Sequence, residues 1–140
     1  MRIAFLCTSN LDYPSPRGRW LPLARRLANA GHAPELLMLH PTFDRPGREQ
    51  VDLIDGVRCR SVGQMHVYGL PGQRRALSAP ELLAVSLRGA AALAASAVRA
   101  RPDVVVVAKP QPINGLAALL VQRMLGCSLH VDCDDYEAGA

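Results

Sequence analysis

Three groups of residues in this chain have the types and spacing to do chemistry. In Pro16-Arg17-Gly18-Arg19 two guanidinium groups flank a glycine. Ahead of a helix this suits contact with a phosphate, because free backbone N–H groups, the helix dipole and a missing Cβ all let an anion come close. Lys109 and Gln111 offer an ammonium and a carboxamide for a phosphate or a sugar hydroxyl. Asp132, Asp134, Asp135 and Glu137 could accept hydrogen bonds from sugar hydroxyls, act as a base or hold a hard cation. Plainer readings stand beside these: a turn glycine with solvated arginines, a rim lysine, and Asp132 as a strand cap. Trp20, the single tryptophan, is either a core anchor or a stacking surface. His32 after Gly31 reads as a loop residue.

The elements that must position these groups are legible from periodicity. Arg2–Cys7 is an apolar run that suits a central first strand. The loop Thr8–Gly18, with Pro14, Pro16 and Gly18, is longer than an ordinary strand-to-helix turn, which points to function. A helix is predicted over Arg19–Ala30 with Leu21, Leu23, Ala24, Leu27 and Ala28 inward, then a strand over Pro34–Leu39. Asp55-Gly56 between Val51–Ile54 and Val57–Ser61 is the signature of a tight hairpin. Residues 40–50 and 65–75 read as irregular.

Ser78, Pro80 and Glu81 make a helix start for Pro80–Ala100, with Leu82, Leu83, Val85, Leu87, Ala91, Leu93 and Ala94 as packing face. Val104–Val107, four valines in a row, predicts a strand buried on both faces. Lys109-Pro-Gln-Pro112 ends it. Asn114 is placed to cap a helix whose apolar positions are Leu116, Leu119, Leu120 and Met124, with Gly126 as its stop and a last strand at Leu129–Cys133. The expected fold is α/β: a Rossmann-like parallel sheet flanked by helices, with the Asp-Gly hairpin inserted and a strand order of 3-2-1-4-5. Ligands then belong outside the carboxyl ends of the strands, where the loops after strands one, four and five collect.

Composition narrows the class. The length of 140 residues suits one domain, and 49% hydrophobic residues with a mean hydropathy of +0.08 mark it as globular. Fifteen of the sixteen bases are arginine, yet the net charge is only +4 and aromatic residues only 4%, so nucleic acid is not the expected partner. Phosphates of a nucleotide-linked substrate or of lipid headgroups fit better. Cys7, Cys59, Cys127 and Cys133 lack zinc spacing, and no metal is expected. His130 and Cys133 would lie on opposite strand faces. Gly89–Val98, uncharged between Arg88 and Arg99, reads as too short to span a bilayer, and the opening residues lack an ordinary secretory signal. A cytoplasmic location is expected.

The opening MRIAFLCTSN…SPRGRWLPLARRLANAGHAPELLML, the hairpin IDGVRCRSV and the run RPDVVVVAKPQPINGLAALLVQRMLGCSLHVDCDDYE together resemble the N-terminal domain of family 4 glycosyltransferases, retaining enzymes of the two-domain GT-B architecture. The resemblance covers nearly the whole chain. It implies that residues 1–140 form a single acceptor-side domain, and that the donor substrate is a nucleoside-diphosphate sugar with no further cofactor. The acceptor expected is a sugar or a lipid-linked molecule, and the Arg-rich surface would suit peripheral contact at the inner membrane face. Pro16, Arg17 and Gly18 correspond to the loop that approaches the donor phosphates; Arg19, Gln111 and Asp135 are further substrate-binding candidates. Asp134 and Lys109 stand where many members have histidine, and are the catalytic candidates. A donor-binding domain with its Glu-x7-Glu pair is not contained in these residues, whose glutamates are Glu35, Glu49, Glu81 and Glu137. The chain alone is therefore expected to be inactive. The alternative is a non-catalytic nucleotide- or sugar-binding module, or one subunit of a split transferase.

Overall fold

A computed structural model describes residues 1–43, 50–69 and 75–133. It has six strands: β1 (Arg2–Cys7), β2 (Ala33–His40), β3 (Val51–Ile54), β4 (Val57–Gln64), β5 (Val104–Ala108) and β6 (Ser128–Asp132). A π-helical turn (Pro16–Trp20) runs into α1 (Leu21–Asn29), and two longer helices follow, α2 (Ala79–Ala100) and α3 (Pro112–Leu125). The sheet order is β3-β4-β2-β1-β5-β6, parallel except for the β3–β4 hairpin.

Asp55 (φ 49°) and Gly56 (φ 79°) make the hairpin turn as expected. The hairpin is not an insertion, however. β4 continues to Gln64 and pairs in parallel with β2, so it is the third strand of the expected 3-2-1-4-5 order, with β3 added at the edge.

The valine run behaves as two-faced burial requires. Val105 and Val107 join Ala4, Leu6, Leu37 and Leu39 beneath α2 and α3, whereas Val106 and Ala108 join Phe5, Leu36, Met38 and Trp20 on the α1 side.

The packing faces of the helices differ from expectation. On α2 the buried positions are Val85, Gly89, Ala90, Leu93, Ala94, Ser96 and Ala97, while Leu82, Leu83 and Leu87 are exposed. On α3 Ile113, Asn114, Ala117, Ala118 and Val121 face inward, and Leu116, Leu119, Leu120 and Met124 face out. Leu23 of α1 is likewise exposed. The reason is close approach. A Cβ on Gly89 would lie 3.1 Å from Leu39 Cδ1, and one on Gly63 would lie 3.0 Å from the Ala92 Cβ, so α2 crosses the sheet there through small residues.

By length and composition α2 could cross a membrane, contrary to the shorter uncharged stretch read from the sequence. One of its sides is nonetheless core.

The start of α2 is built as predicted. Ser78 N and Oγ donate to Glu81 Oε2 at 2.9 and 2.8 Å, and Arg75 Nη2 donates to Oε1 at 2.6 Å. The Ser78 backbone bond first, then its hydroxyl and Arg75, lower the Glu81 carboxyl from 4.5 to about 2. A depressed carboxyl stabilises the fold above its unfolded value, and that contribution fades as pH falls from 4.5 towards 2. Glu81→Gln should therefore lower the melting temperature at neutral pH and flatten its dependence on pH across that window. Parallel acid limbs for the two proteins in thermal melts would refute the assignment.

Candidate active site

Three connections meet at the carboxyl edge of the parallel strands: Thr8–Ser15 after β1, the turn after β4, and Lys109–Gln111 after β5. They enclose a hollow of about 270 Å³. Its polar lining is Thr8, Ser9, Tyr13, Ser15, His66, Lys109 and Gln111, with Pro14, Pro16 and Trp20 as an apolar wall and Cys7 at the floor. Among the described residues that line it, none is a carboxylate. Burial first, and Cys59 second, push the Cys7 thiol far up, so it stays protonated. A site of this composition offers hydroxyl donors and a cation to an oxygen-rich or anionic group.

A larger hollow of about 400 Å³ lies at the opposite edge, against Arg2, Glu35, Arg58 and Arg99. We place the site at the carboxyl edge, because that is where loops of an open α/β sheet converge on a ligand.

Of the residues expected from sequence, Pro16, Lys109 and Gln111 line one hollow. Arg17 is exposed on the π-helical turn and does not line it. Gly18 lies within that turn instead of ahead of a helix, with open space where a Cβ would stand. The helical segment begins at Pro14, so two of its first three residues have no N–H, and the Arg17 N–H is spent on the Tyr13 carbonyl at 3.3 Å. Its opening turn has little to offer an anion. Arg19 turns away towards β6, where its Nη2 donates to both Asp132 carboxylate oxygens at 2.8 and 2.7 Å and its guanidinium lies 4.8 Å from the Trp20 ring centre. Asp134 and Asp135, with Glu137, lie outside the described residues.

Two buried carboxamides hold the turns. Asn114 is not the cap of α3, which is Gln111; it sits at the third helical position and its Oδ1 accepts from Gln111 N at 2.8 Å. Its Nδ2 lies 3.0, 3.1 and 3.2 Å from the carbonyls of Leu6, Ala108 and Lys109. Gln64 Nε2 lies 2.9, 3.2 and 3.0 Å from the carbonyls of Pro41, Met65 and Val67 and so fixes the turn that carries His66. Sequence reading missed His66 because the turn after β4 looked merely irregular. The signal was β4's length: its continuation to Gln64 puts His66 at the carboxyl edge.

Among the described residues no group of acids, histidines and cysteines is arranged to hold a metal. No family model matches the sequence, and no curated protein matches it. Among solved structures the chain is similar to the crystal structure of MurG from Acinetobacter baumannii, with a TM-score of 0.52 and 16% identity over 93% of this chain and 34% of that one. The fold is α/β and Rossmann-like, six strands flanked by helices, as in the matched part of that GT-B neighbour. The chain spans about one third of the length of the MurG chain it resembles.

Proposed function

We propose that the chain is the acceptor-side half of a retaining glycosyltransferase that moves a hexosyl group from a nucleoside-diphosphate sugar to an acceptor hydroxyl. The observation that supports this is the Rossmann-like fold shared with part of MurG, combined with a hollow at its carboxyl edge lined by hydroxyls and Lys109. The donor half would be a second domain or a partner chain, and without it the chain would not turn over.

In this reading the acceptor's reacting group enters between Lys109 and the hydroxyls of Ser9, Tyr13 and Ser15. Bond breaking at the anomeric carbon leaves negative charge on the departing diphosphate, which a cation such as Lys109 stabilises. Asp134, just past β6, would take the acceptor's proton, and Asp135 and Gln111 would hold sugar hydroxyls. Arg17 and Gly18 stay candidates for the donor phosphates only if the second half closes over the exposed turn. The enzyme would work in the cytoplasm at the inner membrane face, with the outward leucines of α2 and α3 against lipid and the acceptor carried on that surface.

Reading the gene in frame past the codon for Ala140 tests the single-chain form. The expected result is a further stretch of roughly 200 residues with a second βα domain and a Glu-x7-Glu pair. An immediate stop codon would overturn it in favour of a split subunit or a binding module. Saturable nucleotide-sugar binding by the isolated chain would then select the module.

A further inference from the structure

We infer that Asn114 is a positioning residue of the cleft: its carboxamide ties the ends of β1 and β5 together and so sets where Lys109 presents its ammonium. The functional weight of this rests on the hollow being the acceptor site; the geometry does not.

Asn114 has no exposed surface, and the Leu6 carbonyl it reaches is 108 residues away in sequence. The helix start accounts for only half of the side chain. Its Oδ1 serves the Gln111 N–H, which a carboxylate at this position would serve equally. The Nδ2 group has no capping role. Its two hydrogens are shared among three carbonyls, of Leu6 at the end of β1 and of Ala108 and Lys109 at the end of β5.

These carbonyls stand at the base of the two walls of the hollow. Thr8 and Ser9 follow β1, and Lys109 to Gln111 follow β5. Lys109 has φ 56°, a left-handed backbone that glycine or asparagine adopts more readily than lysine. Drawing the carbonyls of Ala108 and Lys109 onto one amide holds the chain in that conformation, and strain of this kind persists where its surroundings over-determine it. The same contact fixes the spacing between the walls.

Lys109 is the chain's single lysine, so its ε-amine can be read without interference. The test is trace acylation of the 140-residue protein across pH, with the Lys109 peptide quantified by mass spectrometry, in wild type, Asn114→Ala, Asn114→Asp and Val121→Ala. Asn114→Asp keeps an acceptor for Gln111 N–H and removes the donors to the three carbonyls. Val121 is buried on the same helix and serves as the control for loss of stability alone.

Both Asn114 variants should shift the midpoint of the Lys109 profile by about half a unit or more, roughly threefold in reactive amine at fixed pH, while Val121→Ala keeps the wild-type profile. Folded Asn114 variants with a wild-type profile would overturn the inference and leave Asn114 a structural residue. Should neither variant fold, hydrogen exchange of the Asn114 side-chain amide in the wild type decides: slow exchange sustains the clamp, and exchange as fast as an exposed asparagine refutes it. A chain that never takes part in sugar transfer yet shows the shift keeps the clamp and loses the proposed function. The opposite pair of results does the reverse.

Discussion

Trp20→Ala should destabilise the protein by about 3–5 kcal/mol, enough to lower its melting temperature by roughly 10 °C. Trp20 is 1% exposed and is among the largest of the fully buried side chains. It closes the π-helical turn, packs with Phe5 (ring centres 6.4 Å apart) and lies beneath Arg19. Truncation would empty the volume between β1 and the first helix, and neighbours tied to a six-stranded sheet cannot collapse into it. Because the indole also walls the hollow, the loss should extend to the site. Trp20→Phe keeps an aromatic ring and should cost markedly less. Urea titration of the three proteins checks this, and an alanine variant within about 1 kcal/mol of wild type would show that Trp20 is not an anchor. Of the two readings open to it from sequence, core anchoring holds, and pocket lining accompanies it.

Leu83→Glu combined with Leu119→Glu should weaken binding to anionic vesicles by about a hundredfold or more. Both helices bury their inward faces in one cluster, so their outward faces lie side by side. Those faces carry Leu82, Leu83, Leu87, Leu116, Leu119, Leu120 and Met124, with Leu83 62% and Met124 66% exposed. The cations of the two helices are Arg88, Arg99 and Arg123, and the one acid of either helix, Glu81, is paired with Arg75. Exposed leucines on two helices whose net charge is positive fit the boundary of an anionic bilayer. Each partly inserted leucine contributes about 1–2 kcal/mol, and a glutamate both forfeits that and adds repulsion. Co-sedimentation with phosphatidylglycerol vesicles at two salt concentrations is the measurement. Wild-type protein left in the supernatant would sink the membrane contact. A concentration-dependent dimer by light scattering would instead assign the face to a second copy.

Features that depend on neighbours in sequence were legible without coordinates. The valine run of β5, the Asp55-Gly56 turn and the Ser78/Glu81 helix start all appear where the residues demand, because each rests on local sterics or on hydrogen bonds within a few positions. Lys109, Gln111 and Pro16 were also within reach, since strand ends and proline-rich turns point to the carboxyl edge.

Tertiary structure decided the rest. Both sides of α2 and α3 are apolar, so periodicity could not tell the inward face from the outward one; on α2 the closeness of Gly63 and Gly89 to their neighbours favoured the small residues. Asn114 looked like a cap from its neighbours, yet three of its four hydrogen bonds reach strand ends, one of them 108 residues away. Arg19 was spent on Asp132, 113 residues distant, and His66 entered the site only because β4 joined the parallel sheet. Sequence alone determined where most strands and helices lie and which loops gather at the carboxyl edge. Which side chains face one another across that edge followed from pairing and packing between segments far apart in the chain, where periodicity carries no information.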